Sequence, residues 1–440
     1  MLAIWRWFWA GPATVKIWAV TEHQITTAMA AKVDVYKALF CMYDTCKTTL
    51  CIHWSDFVAR PLSLAEHTLL AELVEKSLDA MFDEQFPENG SFIVRSVKNR
   101  EGLERNYIYY QGYRPKASPD DKSTRYQRYV GPADDPAIAE RVARFQDIKS
   151  GRKERAALVQ GLTGIGLPRP PVQMGRITEA LAKAGLFRMR AVLVGTAAFQ
   201  TYPAIIGMRL DDSAAITGDV DVAQFRSISL SIEDRTPPIL EILQKVDPSF
   251  RAIPHRNDPI AATAFQNGSG FRLDILTPHR GSDDQIGKAL KMDAMNGAAA
   301  EPLRFLDFLI YKPVRSVMLF GSGISVNVPA PERFAIHKLI VSTRRKTDLV
   351  GTAKSRKDVA QSNELISSLD HIGQLESLSQ AFGEAWERGP RWRQGIEKGA
   401  SRLPDAGWAI LSKAASGKLP ASKPKLPPYQ RKEDEALIRE

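Results

Sequence analysis

Two aspartates, Asp219 and Asp221, stand two residues apart in "GDVDVAQF". In a strand, residues at that spacing point to the same side, so the pair would present two carboxylates to one spot. Like charges placed so close call for a cation between them. Mg2+ suits such a pair, because it takes hard oxygen ligands and binds through one or two carboxylates plus substrate phosphates. Two such ions are the usual clamp for in-line displacement at phosphorus. The plainer alternative is a turn or a solvated strand edge, which accounts for most D-x-D pairs. The calcium-loop pattern that would extend the pair is absent.

Two further features belong with the pair. Gly195 and Thr196 follow the apolar run "RAVLV", where a strand gives way to a helix. Backbone N–H groups at such a turn can receive a phosphate; glycine permits close approach, and Thr196 adds a hydroxyl. Asp274 lies among Leu273, Ile275 and Leu276. A buried carboxylate there is costly unless it is paired or bound to a cation. Read alone, Asp274 could equally cap a turn at a strand end.

Cations come later in the chain. Lys338 in "PERFAIHKLI" is flanked by Phe334, Ile336 and Leu339, which place it near the core. Arg345 falls seven residues on, two helical turns away on a similar face. Lys357 and Asp358 follow in "AKSRKD". Arg344, Arg345 and Lys346 read equally well as a solvated basic face. His337 reads as a structural hydrogen-bonding histidine, and His279 is ambiguous.

The elements that would hold these residues can be read from periodicity. A helix is expected from Leu64, with Ser63 as its cap. Three alternating, aromatic-rich pieces, "SFIVRSVKN", "RNYIYYQGY" and "TRYQRYVGP", predict a small antiparallel sheet. Arg105, Tyr107, Tyr109, Arg125 and Arg128 on it could stack on and neutralise a nucleic acid, or form the wet face of the sheet. Helices are expected at "PAIAERVARF" and "QMGRITEALAKAGL", the second closing at Gly185. Strands follow at "RAVLVG", "DVDVAQF", "FRAIP", "AATAFQN" and "FRLDIL", with a helix at "PPILEILQKV" between them. "SVMLFG" and "ISVNVP" predict a hairpin turning at Ser322-Gly323. From "PERFAIHKLI" onward the chain reads as helical.

These residues and motifs resemble the nucleotidyltransferases of the DNA polymerase β superfamily. The superfamily pattern is a strand, a Gly-Ser-like turn, a helix, a D-x-D or D-x-E strand and a later strand with a third acid. Here that pattern is matched by "LVGT", "GDVDVA" and "RLDIL". The chain is most similar to a bacterial branch described as nucleotidyltransferase-fold proteins, through "YVGP", "VLVGTAAFQTY", "RFLDFLI" and "PERFAIHKLIV". Toxin nucleotidyltransferases are more distant relatives. Thr196 stands where many relatives have Ser, and "GMRLDDSAAIT" makes a longer insert before Asp219.

The resemblance implies an α/β (α+β) fold with a mixed, mainly antiparallel sheet and flanking helices. A helix and small sheet would precede it and a helical region would follow. It implies transfer of a nucleotide from an NTP to an acceptor hydroxyl, with pyrophosphate leaving. Asp219, Asp221 and Asp274 would be catalytic and would hold two Mg2+ ions, with Mn2+ as a substitute. Gly195, Thr196, Lys338 and Lys357 would hold the nucleotide. The acceptor stays open among RNA, a protein hydroxyl and a small molecule. Two alternatives remain: a non-catalytic nucleotide- or nucleic-acid-binding module, and a toxin with an antitoxin-like protein partner.

Composition agrees with a folded protein that meets anions. The 440 residues carry a formal net charge of +10, with 44% hydrophobic and 25% charged residues. A basic balance favours a nucleotide or nucleic-acid partner, although basic tails alone would produce it. The three cysteines, Cys41, Cys46 and Cys51, have neither a disulfide pattern nor a zinc spacing. That points to a reducing, cytoplasmic setting. No apolar run reaches bilayer length, so no membrane is expected. Residues 1–60 lack periodicity and read as a poorly ordered extension, or one upstream of a true start at Met29. The expected division is then 61–185 for the helix and small sheet, 186–330 for the core, 331–415 for the helical region, and 416–440 for a disordered basic tail.

Overall fold

The computed structural model describes residues 60–86, 90–98, 104–113, 125–145, 151–210, 218–232, 234–279 and 287–424. The expected N-terminal extension up to residue 59, its cysteines, residues 211–217 of the insert before Asp219 and the tail from 425 lie outside them. Strand β1 (Arg60–Pro61) pairs antiparallel with β6 (Met208–Arg209). Helix α1 (Leu64–Gln85) then starts at Ser63 in a capping box: Ser63 Oγ accepts from the Glu66 N–H at 3.3 Å, and Glu66 Oε2 accepts from the Ser63 N–H at 2.7 Å. Two otherwise orphaned donors are satisfied this way.

The small sheet forms as the alternation predicts. Strands β2 (Ser91–Lys98), β3 (Glu104–Tyr113) and β4 (Arg125–Pro132) are antiparallel in that order. One face packs Tyr110 and Val130 on Phe82 and Phe86 of α1 and its C-cap, and on Ile138 of helix α2 (Pro136–Ala143). The other face differs from the stacking expectation. Tyr109 is buried against Tyr129, with ring centres 5.6 Å apart, so its face is not offered to solvent. Helix α3 (Arg152–Gly164) has no counterpart in the sequence reading. Gly161, Gly164 and four charged residues in its first turns mask its period, yet Val159 and Leu162 reach a core beside α1.

Helix α4 (Val172–Lys183) ends before Gly185, which takes φ +89°. The central mixed sheet follows: β5 (Val192–Val194), β7 (Asp219–Ala223), β8 (Arg251–His255), β9 (Asp258–Gln266), β10 (Arg272–Pro278), β11 (Leu290–Lys291) and β12 (Ala299–Leu303). Short helices punctuate the connections: α5 (Gly195–Phe199), α6 (Pro203–Ile206), α7 (Arg226–Ser231), α8 (Ile239–Val246) and α9 (Leu306–Leu309). The β5–β7, β8–β9, β9–β10 and β11–β12 pairs are antiparallel, whereas β7–β10 and β10–β12 are parallel. The fold is therefore α+β, with a mixed and mainly antiparallel sheet flanked by helices. Ile260, near the start of β9, is an exposed apolar residue of the β8–β9 hairpin.

Val220, Val222, Leu273 and Ile275 are each 0% exposed on the buried face. Full burial of such a side chain stabilises by about 1.5–3 kcal/mol, enough to fix which face of the strands looks outward. The last hairpin, β13 (Val314–Met318) and β14 (Ile324–Val328), turns through residues 319–323 rather than at Ser322-Gly323 alone. Gly321 and Gly323 both take positive φ there, and the Gly323 N–H bonds the Phe320 carbonyl. The helical region is α10 (Pro331–Ser342), α11 (Leu349–His371), α12 (Leu375–Glu387), α13 (Pro390–Ala400) and α14 (Asp405–Ala414). Just beyond it, Leu419 joins the core and Lys423 pairs with Asp405 at 2.7 Å.

Candidate active site

Strand β7 lies between β5 and β10. Its register sets Asp221 beside Val194 on one side and Asp274 on the other, and Asp219 beside Arg272. Since paired residues of a sheet share a face, Asp219, Asp221, Arg272 and Asp274 stand together, opposite the buried Val220 and Leu273. The D-x-D pair and the third acid thus converge on one side of the sheet.

Gly195 closes this group from β5. It opens the five-residue helix α5 with φ +66°. A Cβ at that position would sit 2.6 Å from Asp221 Oδ2. Both the left-handed backbone and the carboxylate demand glycine. Thr196 follows as a buried residue, 8% exposed.

The electrostatics follow from this crowding. Burial, then the charges of Asp219 and Asp274, push the Asp221 carboxyl up to about 7 against the pull of Lys338 and Lys354. Arg272 answers part of the charge. Its Nε lies 2.9 Å from each oxygen of Asp274 and its Nη2 2.7 Å from Oδ1, a contact that raises the guanidinium's affinity for its proton. Lys354 Nζ stands 3.8 Å from Asp219 Oδ2.

Lys338, 7% exposed, holds Asp358 Oδ1 at 2.6 Å, and Arg345 Nε holds Asp358 Oδ2 at 2.7 Å. Burial works to raise the Asp358 carboxyl, but Lys338 and Arg345 outweigh it and keep it ionised. Lys357 joins from the neighbouring position of α11. Burial, then Lys338, lower it to about 8, with Asp219 and Asp358 opposing. Burial, then the Lys338 charge, push His337 down to about 3, so it is neutral and no cation at neutral pH.

The expected residues Gly195, Asp219, Asp221, Asp274, Lys338 and Lys357 therefore meet electrostatically or sterically in one place, with Thr196 following Gly195. One expected placement fails. Arg345 is not on the face of α10, because that helix ends at Ser342; it comes in from the connection to α11. His279 lies at the far end of β10, where its N–H bonds the Leu303 carbonyl at 2.9 Å. Three participants escape the sequence reading: Arg272, Lys354 and the clamping role of Asp358. Their signals are Arg272 two before Asp274 on the same strand face, and Lys354 one turn before Lys357 and Asp358 on α11.

The donor set is all carboxylate oxygen, which suits a hard divalent cation. Among the described residues, no group of three or more His, Cys, Asp or Glu is already gathered in a metal-holding arrangement. With Asp274 held by Arg272, a cation could be received by Asp219 and Asp221 first. Also among the described residues, no helix is long and apolar enough to cross a membrane.

No curated protein and no solved structure matches the chain. Residues 172–387 match a family model described as nucleotidyltransferase. The match begins at the first residue of α4 and ends at the last residue of α12, and so takes in every residue of the cluster.

Proposed function

We propose that the chain transfers a nucleotidyl group from an NTP to an acceptor hydroxyl, releasing pyrophosphate, with Asp219, Asp221 and Asp274 as its catalytic acids. The observation that carries the reading is Asp221, set between two other carboxylates, under Gly195, and faced by Lys338 and Lys354. Such a concentration of acid, rimmed by cations, is costly to a protein that does not use it.

Asp219 and Asp221 would hold Mg2+, joined by Asp274 once Arg272 shares or releases it. The ion supplies charge neutralisation at the triphosphate and at the attacking oxygen. Lys338 and Lys357 put positive charge beside the acids, where the phosphates of an NTP would lie. Asp358 fixes Lys338 and Arg345 so that their charges do not have to be oriented anew in each turnover. Gly195 leaves room beside Asp221, and Thr196 offers a hydroxyl. The five-residue α5 has little macrodipole to add, so phosphate binding rests on the lysines.

Incubation of the protein with α- and γ-labelled NTPs, Mg2+ and a total cell extract tests the reading. Label should pass from the α position and not from the γ position, and Asp219→Asn should abolish it. Transfer of γ-label, or transfer unchanged by Asp219→Asn, would overturn it.

A further inference from the structure

We infer that Tyr129 and Arg190 form a binding site for a small oxyanion, the head of a phosphate or a carboxylate, where the three-stranded sheet meets the core. The site is separate from the catalytic carboxylates. Arg190 stands two residues ahead of β5, whereas Gly195 follows its last residue, so the two places lie at opposite ends of that strand.

Both halves of the site are held in place before any ligand arrives. On the core side, the turn at 187–191 is fixed through its carbonyls. Asn327 of β14 donates from Nδ2 to the Phe187 carbonyl at 2.7 Å and to the Ala191 carbonyl at 2.9 Å. Gln224, just past β7, donates from Nε2 to the Met189 carbonyl at 2.6 Å. The Arg190 N–H closes the turn on the Phe187 carbonyl at 3.0 Å. Arg190 itself takes φ +65°, a left-handed backbone uncommon for a residue with a side chain. Two side-chain amides therefore set the direction in which the arginine leaves the turn. On the sheet side, Tyr129 of β4 is 2% exposed. Its backbone N–H donates to Asp234 Oδ2 at 3.0 Å, and the same carboxylate pairs with Arg188 at 2.7 Å. Its ring rests against Tyr109 and Tyr107, with centres 5.6 and 5.8 Å away.

The Tyr129 hydroxyl is the unfinished part. It is buried and, among the described residues, has no hydrogen-bond partner. Burial, against the pull of Arg190, pushes the phenol well above its usual range, so it keeps its proton and stays a donor. Arg190 is the first charge that acts on it, ahead of Arg188. Asp234 answers Arg188, and among the described residues no acid pairs with Arg190. A donor without an acceptor and a cation without an anion thus stand together. Leaving a buried donor unmet is costly. A water would accept from Tyr129 but bring no charge for Arg190. An oxyanion does both, through the charge-assisted bonds that guanidinium groups make well. Arg190 is half-exposed, and its unpaired side chain is the part that swings to admit the anion beside the hydroxyl. With Tyr129 buried, the occupant must end in a narrow head, a terminal phosphate or a carboxylate, and an internal phosphodiester does not fit.

Thermal unfolding of the full chain, without nucleotide or Mg2+, tests the site. Sodium phosphate and sodium acetate up to about 20 mM are compared with sodium chloride of equal ionic strength, since a ligand of the native state raises the midpoint by mass action. Phosphate, acetate or both should raise the wild-type midpoint by about 2 °C or more above chloride, and the anion that does so names the head group. Tyr129→Phe removes the orphaned hydroxyl alone; it should match wild type in chloride and lose the rise. Arg190→Gln should lose it as well, and Arg190→Lys should keep part of it. Lys354→Gln, at the rim of the carboxylate cluster, should keep the rise in full, which separates this site from phosphate held by the lysines there. Absence of a rise with either anion, a chloride effect as large as theirs, or a rise that survives both Tyr129→Phe and Arg190→Gln would overturn the assignment. So would a rise that Lys354→Gln removes and Tyr129→Phe does not.

Discussion

Asp221 carries a cost that its neighbours only partly relieve. Its carboxyl is raised to about 7 while an unfolded aspartate titrates near 3.8, so between those values the folded chain keeps a proton that the unfolded chain has lost. Its contribution is fully present below the unfolded value and is lost as pH rises through about 7. Metal-free protein should therefore have a lower thermal midpoint at pH 8 than at pH 5.5 by Asp221's share. Asp221→Asn should flatten that dependence and raise the midpoint at pH 8 by a few degrees. The same substitution should cut nucleotidyl transfer by roughly 100-fold or more, the usual loss when charge stabilisation at a reacting phosphate is removed. Calorimetry with a chelator and a transfer assay read the two effects separately. Lys357 behaves in the opposite sense. Lowered to about 8, it is charged at neutral pH and loses its charge as pH passes that value. ATP affinity should fall above pH 8, and Lys357→Arg should hold it constant to higher pH in a binding titration.

At the scale of elements, the strand pair β7–β10 was legible because two signals agree: alternation buries Val220, Val222, Leu273 and Ile275, and the acids occupy the remaining face. The capped start of α1 was legible for the same reason, since Ser63 and Glu66 satisfy each other locally. Helix α3 was not, because its apolar residues are few and its glycines lower its intrinsic preference for helix. The break between α10 and α11 was also hidden. Nothing apolar marks it, and the continuation of Arg344, Arg345 and Lys346 suggested one helix where the structure has two. Lys354, and the clamping role of Asp358, have no local signal that assigns them, because both depend on how α11 packs against α10, a tertiary fact without a local pattern. A third helix meets α10 at close range. Gly399 of α13 approaches it so nearly that a Cβ would lie 2.3 Å from the Leu339 carbonyl oxygen. Gly399→Ala should push α13 off α10 and destabilise by roughly 1–3 kcal/mol, as overpacking does. Because Leu339 adjoins Lys338, it should weaken ATP binding as well. A thermal scan and an ATP titration on this variant check both parts.

Across the whole molecule, the acids lie on the sheet and most of the opposing cations on the helical region. A nucleotide with its metal should join the two. Mg2+ with ATP at about a hundredfold over its dissociation constant should stabilise the fold by about 2.7 kcal/mol, seen as a raised midpoint in a thermal scan. The Asp219→Asn, Asp221→Asn double variant should show no such rise. The order of these parts along the chain has a consequence for biosynthesis. Strands β5, β7 and β10 leave the ribosome well before α10 and α11, so the carboxylates are made before Lys338, Lys354 and Lys357 exist to offset them. Arg272, two residues ahead of Asp274 and paired with it, is a counter-ion already present in the nascent sheet. It offsets one of the three carboxylates while the chain is still being lengthened, and the lysines later add the charge balance that the sheet alone cannot supply.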